Sequence, residues 1–277
     1  AQNTDVPDNL DKLSNFKSTG TTEFTYIDQT GDYADGIKKT LEKIKLPQGF
    51  KIALYAVVPD ARNMAVGPQG IVTFVGTRKD KVWSITDRNK DRVADEVKDF
   101  APSLAFTIPN GPCFSKDGFL YIAEQNRVLL FPAAEFFYES PDVAAFSVLK
   151  QGDLIPPDEE SFNHTARVCD IGPDGKLYAC QNGNKRIVRY DARGQAETVV
   201  DDVTCNDLVI LGDHGYFTDP PNKQVWHFTL AGKKQGDGYG FPFDRTRVVF
   251  AKRLRFVYSQ LEQIKDIHLS GQWSENI

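Results

Sequence analysis

Four times along this chain an apolar run reaches a turn built from Pro, Asp and Gly, and a second apolar run follows. The copies read MAVGPQGIVTFVGT (residues 64–77), PCFSKDGFLYIAE (112–124), CDIGPDGKLYACQ (169–181) and DLVILGDHGYFTD (207–219). Two β-rich runs around a glycine-bearing turn read as a hairpin. A third strand phrase with charged flanks follows in register: KDKVWSITD, QNRVLLFPA, NKRIVRYDA and NKQVWHFTL. The turn glycines, Gly70, Gly118, Gly175 and Gly215, recur every 40–57 residues. A multi-strand unit at that period predicts an all-β chain folded as a β-propeller, with six blades preferred and five possible. A β-sandwich with coincidental hairpins would not repeat the third strand in register.

Residues 1–47 read as an N-terminal arm and helix, and residues 48–277 as the propeller domain. The arm is polar, with one strand expected at residues 24–27. A helix is expected at residues 33–44, where Ile37, Leu41 and Ile44 share one face, and Leu46-Pro47-Gln48-Gly49 ends it. Residues 50–58 are expected to open the first blade. Residues 133–162 read as an insertion with Pro141, Pro156, Pro157 and the acidic run Asp158-Glu159-Glu160. Such a run is a solvated face or the rim of a pocket. After Gln235 the pattern weakens: two strand-like runs remain without the Asp-Gly turn. Four clear blades and one partial blade are counted.

A net charge of −5 gives no electrostatic reason to expect a nucleic acid partner. No apolar run approaches the ~18 residues of a membrane span. The expected partner is a small-molecule substrate. The chain begins Ala-Gln-Asn, with neither Met nor an apolar leader, which reads as a mature exported protein, periplasmic or secreted. Cys113, Cys169, Cys180 and Cys205 form no C-x-x-C pair, so zinc-ribbon, thioredoxin-like and c-type haem readings are unsupported. They read as buried small apolar residues. Cys169–Cys180, on two strands of one hairpin, is the pair to test if the chain is exported. Serine nucleophile elbow, Walker loop and dinucleotide fingerprint are all absent from the sequence.

Asp87, Asn89, Asp91 and Asp95 place oxygen side chains at positions 1, 3, 5 and 9 of one loop, which is Ca²⁺-loop spacing. Arg92 stands where such loops use Gly. A charged hairpin loop is the alternative, and any calcium here would be structural.

Two resemblances come from longer phrases. LPQGFKIALYA, ARNMAVGPQG, VGTRKDKVWSITDRNKDRVADEV and IPNGPCFSKDGFLYIAEQNRVLLF make residues 48–130 resemble the pyrroloquinoline-quinone (PQQ) sugar dehydrogenases, including the sorbosone dehydrogenase branch. GPDGKLYACQNGNKRIVRYDARG and CNDLVILGDHGYFTDPPNKQVW make residues 166–234 similar to the SMP-30/gluconolactonase/luciferin-regenerating enzyme family. Both families are six-bladed propellers. The second resemblance implies a metal-dependent lactonase-like hydrolase, with Asn206 as a channel ligand to Ca²⁺ or another divalent metal. Asp207 or Asp219 would orient a water or accept its proton. Where that family carries its first-blade metal Glu, this chain reads Arg62-Asn63-Met64-Ala65, and its later Asp is replaced within Phe250-Ala251-Lys252-Arg253. The metal site is then altered, vacant or rebuilt from Asn63, Asn110 and Asn206.

The first resemblance implies a sugar or aldehyde oxidoreductase with PQQ as hydride acceptor. His164 would be the general base, and Arg167 could hold quinone carboxylates. A third reading is a propeller that has lost catalysis and serves as a binding module. Fold alone decides none of these.

Overall fold

The computed structural model describes residues 22–155, 160, 166–181, 184–191, 193–219, 221, 224–230, 234–235 and 238–239. Three four-stranded antiparallel sheets and one three-stranded sheet follow one another in chain order. The first holds β1 (Ala61–Val66), β2 (Val72–Thr77), β3 (Val82–Thr86) and β4 (Glu96–Phe100). The second holds β5 (Gly111–Phe114), β6 (Leu120–Ala123), β7 (Val128–Phe131) and β8 (Phe146–Leu149). The third holds β9 (Ala166–Ile171), β10 (Leu177–Gln181), β11 (Arg186–Tyr190) and β12 (Ala196–Asp201). The fourth holds β13 (Asp207–Leu211), β14 (His214–Asp219) and β15 (Gln224–Thr229), and a short pair, β16 (Lys234–Gln235) and β17 (Gly238–Tyr239), comes after it. Strands β1, β5, β9 and β13 pack successively against one another, so they are the innermost strands of four propeller blades.

The described residues thus make four blades of an all-β propeller, fewer than the five or six the repeat period suggested. After Gln235 the described residues hold β17 alone, paired with β16, and the strand-like runs expected beyond Tyr239 lie outside the described residues. The hairpin phrases fall on β1–β2, β5–β6, β9–β10 and β13–β14. Gly70, Gly118 and Gly175 occupy the turns with positive φ. In the fourth copy the turn glycine is Gly212 (φ 60°), not Gly215. Gly215 is in β14, where an added Cβ would stand 2.1 Å from the Phe228 ring.

The predicted opening strand at residues 50–58 is not formed; the first blade starts at Ala61. The Gln29 side chain takes the place of a neighbouring strand: its Nε2 donates to the Val57 carbonyl and its Oε1 accepts from the Val57 N–H. Residues 25–27 lie along β4 through the Tyr26–Lys98 bridge and bonds from Ile27 N–H to Val97 and from Asp99 N–H to Thr25. This covers an edge strand, and it is where one strand was expected. The helix α1 spans Asp32–Leu41, three residues shorter at its end than predicted. There the bonding tightens to Lys43 N–H→Thr40 and Ile44 N–H→Leu41. Residues 133–162 are not simply an insertion. They hold a one-turn helix, α2 (Ala134–Phe137), and then β8, the fourth strand of blade 2.

Apolar cores lie between blades, as side-chain alternation dictates. Phe74, Phe100, Leu120, Ile122 and Phe131 fill the interface of blades 1 and 2. Cys113, Leu149, Leu154, Ile155, Cys169, Leu177 and Tyr190 fill that of blades 2 and 3. Tyr178, Cys180, Ile187, Cys205, Leu208, Phe217 and Phe228 fill that of blades 3 and 4. The far face of blade 1 packs against Ile27, Ala56 and Val58 from the N-terminal segment.

All four cysteines form disulfides, Cys113–Cys169 and Cys180–Cys205. This corrects both the reading of free buried thiols and the Cys169–Cys180 pairing. In the β9–β10 ladder Cys169 stands opposite Ala179, so Cys180 projects to the other face of the sheet. Each cysteine of blade 3 therefore meets a different neighbour, and the blade is covalently tied on both sides.

Candidate functional site

Several sequence candidates stand at or next to the heads of the innermost strands. Asn110 immediately precedes β5 and Asn206 immediately precedes β13, so they hold the same station in blades 2 and 4. The Asn206 N–H donates to the Thr218 carbonyl (3.1 Å), fixing the start of β13. Asn110 is 2% exposed, and its Oδ1 has no hydrogen-bond donor among the described residues. Its backbone is crowded in: a Cβ on Gly76 would lie 2.3 Å from the Pro109 carbonyl oxygen. Only glycine lets β2 and the Pro109-Asn110 backbone approach this closely.

Asn63 sits differently, inside a bulge of β1 where the register shifts between Ala61 and Met64. Strand β9 carries a matching bulge between Ala166 and Cys169. Bulges re-aim side chains beside functional sites. Both begin Ala-Arg, so Arg62 and Arg167 occupy corresponding backbone positions in blades 1 and 3. The buried Arg62 was not singled out from sequence, although its phrase replaces the family Glu; its signal was the repeated Ala-Arg at the head of two innermost strands. The side chain of Arg167 and all of His164 lie outside the described residues.

Asp207 begins β13, and its Oδ1 accepts the Leu208 N–H at 2.9 Å. Burial pushes its carboxyl above the usual range, and the charge of Asp170 adds to the effect. Asp170, on β9, is a second carboxylate that sequence reading missed. Its Oδ2 accepts the Ile210 N–H of blade 4 at 2.7 Å, and its Oδ1 accepts the Ile171 N–H at 2.8 Å. Burial nevertheless outweighs these bonds and pushes its carboxyl up. A charged residue inside the apolar hairpin phrase CDIGPDG was the available signal.

Asp219 belongs to a different pattern. The second strand of each blade ends in, or is followed at once by, a buried polar residue: Thr77, Glu124, Gln181 and Asp219. Each is bonded forward into its own blade. Thr77 Oγ1 donates to Lys81 O; Glu124 pairs with Arg127; Gln181 bonds Arg186 and Tyr190; Asp219 Oδ2 accepts the Trp226 indole N–H at 3.0 Å. These residues latch the turn into the third strand. The Glu124 carboxyl is pushed up because burial outweighs its bond to Arg127.

The Asp87–Asp95 loop lies far out on blade 1, between β3 and β4. Asp87 accepts the N–H groups of Asp91 and Arg92, and Asp95 that of Arg88. Asn89 Oδ1 accepts the Asp91 N–H, and Asp91 Oδ1 that of Val93. Arg92 adopts φ 70°, the conformation for which such loops use glycine, so the backbone follows that turn despite the substitution. Among the described residues no three His, Cys, Asp or Glu side chains are grouped to hold a metal ion. No described helix is long and apolar enough to cross a membrane.

No family model matches the chain, and neither does any curated protein. Among solved structures it is similar to a streptogramin B lyase, at 14% identity over 72% of this chain and 62% of that one, with a TM-score of 0.45. A catalytically inactive virginiamycin B lyase from Staphylococcus aureus gives 15% identity over 72% and 64%, with a TM-score of 0.46. A candidate gluconolactonase gives 14% identity over 73% and 68%, with a TM-score of 0.47. The chain spans just over six-tenths of the length of the two lyases.

Proposed function

We propose that the chain is a metal-dependent, lactonase-like hydrolase acting on a sugar lactone or related ester at the propeller channel. The observation that carries this reading is Asn110. A buried amide oxygen with no donor among the described residues, at the station that Asn206 holds in blade 4, is an oxygen donor suited to a hard cation. Asn63, Asn110 and Asn206 would hold Ca²⁺, which when bound polarises a carbonyl oxygen. Asp207 supplies the proton chemistry. Next to Asn206 at the head of β13, it orients the attacking water, accepts its proton and passes that proton to the leaving alkoxide. Asp219, held by the Trp226 indole, orients its surroundings.

Calcium in the loop of Asp87, Asn89, Asp91 and Asp95, with a structural role, belongs to the same proposal, as does a closed ring of six blades. Export to the periplasm or outside the cell is supported by the two disulfides, which persist in oxidising compartments.

The test is hydrolysis of a panel of sugar and aliphatic lactones. Native protein, chelator-stripped protein, stripped protein restored with Ca²⁺, and the Asn206→Ala and Asp207→Asn variants are compared. Activity lost on stripping, regained with Ca²⁺ and reduced at least tenfold in each variant is the expected result. Folded native protein that hydrolyses none of the panel overturns the reading. Sugar-dependent dye reduction on adding PQQ would then select the dehydrogenase reading with His164 and Arg167, and its absence the binding module.

A further inference from the structure

His214 and His227 lie on the hairpin β14–β15 of blade 4, toward the end of the ladder away from Asn206. Tyr216 stands directly opposite His227, and His214 is its diagonal neighbour, so the three side chains share one face of the sheet. The imidazoles are in contact, with His214 Nδ1 and His227 Nε2 2.7 Å apart and ring centroids 4.9 Å apart. The Tyr216 ring lies 5.0 Å from the His227 ring, on that same face. His214 is exposed and His227 half-buried.

We propose that His214 and His227 form a binding site for a divalent transition metal of the copper(II) type. Two ligand nitrogens at about 2.0 Å from a metal stand about 2.8 Å apart when cis in a square plane, and about 3.3 Å apart in a tetrahedron. The 2.7 Å contact is an N–H···N hydrogen bond with the rings nearly in line, so a turn of the rings about their side-chain torsions brings both nitrogens onto one ion at the cis spacing. Imidazole suits these ions, and Cu(II) heads the affinity order for such sites. In the metal-free pair one ring nitrogen donates its proton to the other; on binding, that proton passes through solvent to the other nitrogen of its own ring, so both imidazoles stay neutral and each offers a lone pair to the ion. Both residues sit on one ladder-bonded hairpin, so little ordering is needed on binding. With no third His, Cys, Asp or Glu in the group among the described residues, the remaining coordination positions are open to water or a small ligand.

The chain has four histidines, His164, His214, His227 and His268, which makes the assignment testable by substitution. The chain, with both disulfides intact, is titrated with Cu(II) alone and followed by calorimetry and electron paramagnetic resonance. The expected result is one equivalent bound at micromolar or tighter Kd, with a tetragonal spectrum showing coupling to two imidazole nitrogens. His214→Gln and His227→Gln each weaken binding at least tenfold and remove one nitrogen from the spectrum. His164→Gln and His268→Gln leave both readouts unchanged. Circular dichroism confirms that each variant is folded. Absence of binding at micromolar Cu(II) overturns the proposal. So does binding that survives both His214→Gln and His227→Gln, or that depends on His164 or His268. Stripping calcium affects lactone hydrolysis in the reading above but not this titration, so the two succeed or fail separately.

Discussion

The interface between blades 1 and 2 and the two interfaces flanking blade 3 solve one packing problem by different means. The first is aromatic: Phe74 and Phe131 each pack on Phe100, with ring centroids 4.8 and 5.1 Å apart, and Phe106 packs on Phe131. It holds no cysteine. The interface of blades 2 and 3 is filled mainly by Val, Leu, Ile and Ala, that of blades 3 and 4 mixes aliphatic residues with Tyr178, Phe217 and Phe228, and each of these two carries one buried disulfide. Large rings bury enough surface to hold blades 1 and 2 together, whereas the smaller aliphatic contacts between blades 2 and 3 gain most from a covalent tie. If this contrast is real, the interfaces should respond differently to truncation and to reductant.

The largest effect is expected from Phe100→Ala. The ring is 1% exposed and central to its interface, so its loss should cost about 3–5 kcal/mol. Denaturant unfolding checks the size, and adding reductant should leave the difference from native unchanged. A loss much larger under reducing conditions would mean the interfaces are not independent. Next comes removal of the disulfides, by Cys113→Ala with Cys169→Ala, or Cys180→Ala with Cys205→Ala. The cross-links close loops with sequence separations of 56 and 25 residues. Chain entropy then puts each at about 3–4 kcal/mol, with the longer loop the larger. Both variants should lose most of the native protein's sensitivity to reductant. If the wild type unfolds identically with and without reductant, the covalent tie is not what holds blade 3.

How far this contrast was legible in the sequence depends on what each feature required. The four hairpins were legible because strand alternation and turn glycines are local signals, and they fell where expected. The fourth strands were not. Strand β8 is only Phe146–Leu149, half of it exposed, with none of the apolar alternation of a second strand, and so it read as insertion. The fourth turn glycine was misplaced because DHGYF contains a glycine whose role is to lie under Phe228. The disulfides needed the register: Cys169 and Cys180 look like partners on one hairpin until Ala179 is placed opposite Cys169. The shared station of Asn110 and Asn206 was legible because each stands just before or within a repeated phrase. Arg62 and Asp170 were not, since the first depends on a bulge and the second on the neighbouring blade.

A smaller effect sharpens the contrast from the polar side. At the interface of blades 2 and 3, Leu154 and Ile155 enter the core as a plug held by side chains of both blades. The fully buried Asn126 of blade 2 donates to Ile155 O (2.9 Å) and to Glu160 (2.7 Å), and accepts the Ile155 N–H (2.7 Å). Gln181 of blade 3 donates to Leu154 O at 2.5 Å. Asn126→Ala strands the Ile155 amide and should cost about 2–3 kcal/mol. The interface of blades 1 and 2, by this account, is unmoved. Hydrogen exchange separates the outcomes: faster exchange at residues 153–155 with blade 1 protected is expected, whereas uniform loss would place Asn126 in the global core.

The smallest effect has the opposite sign. The interface of blades 3 and 4 carries two carboxylates, Asp170 and Asp207; burial raises the cost of ionising Asp207, and the charge of Asp170 adds to it. The folded-state pKa of Asp207 lies above its unfolded value, so between the two values the native state binds more protons than the unfolded state. Stability therefore falls as pH rises through that window, and the deficit persists above it. Below both values the group costs nothing. Asp207→Asn cannot ionise, and its amide oxygen can still accept the Leu208 N–H. It should be more stable than wild type near neutral pH, by less than about 1 kcal/mol given partial solvent contact, with no gain below about pH 3. Thermal melts of both proteins across that range check the sign. A gain at neutral pH that vanishes in acid, together with lost lactone hydrolysis, identifies a residue whose charge burdens the fold and is kept for chemistry. A loss of stability at neutral pH would instead assign Asp207 to holding the head of β13, and the proton role would pass to Asp170, the other raised carboxyl at this interface.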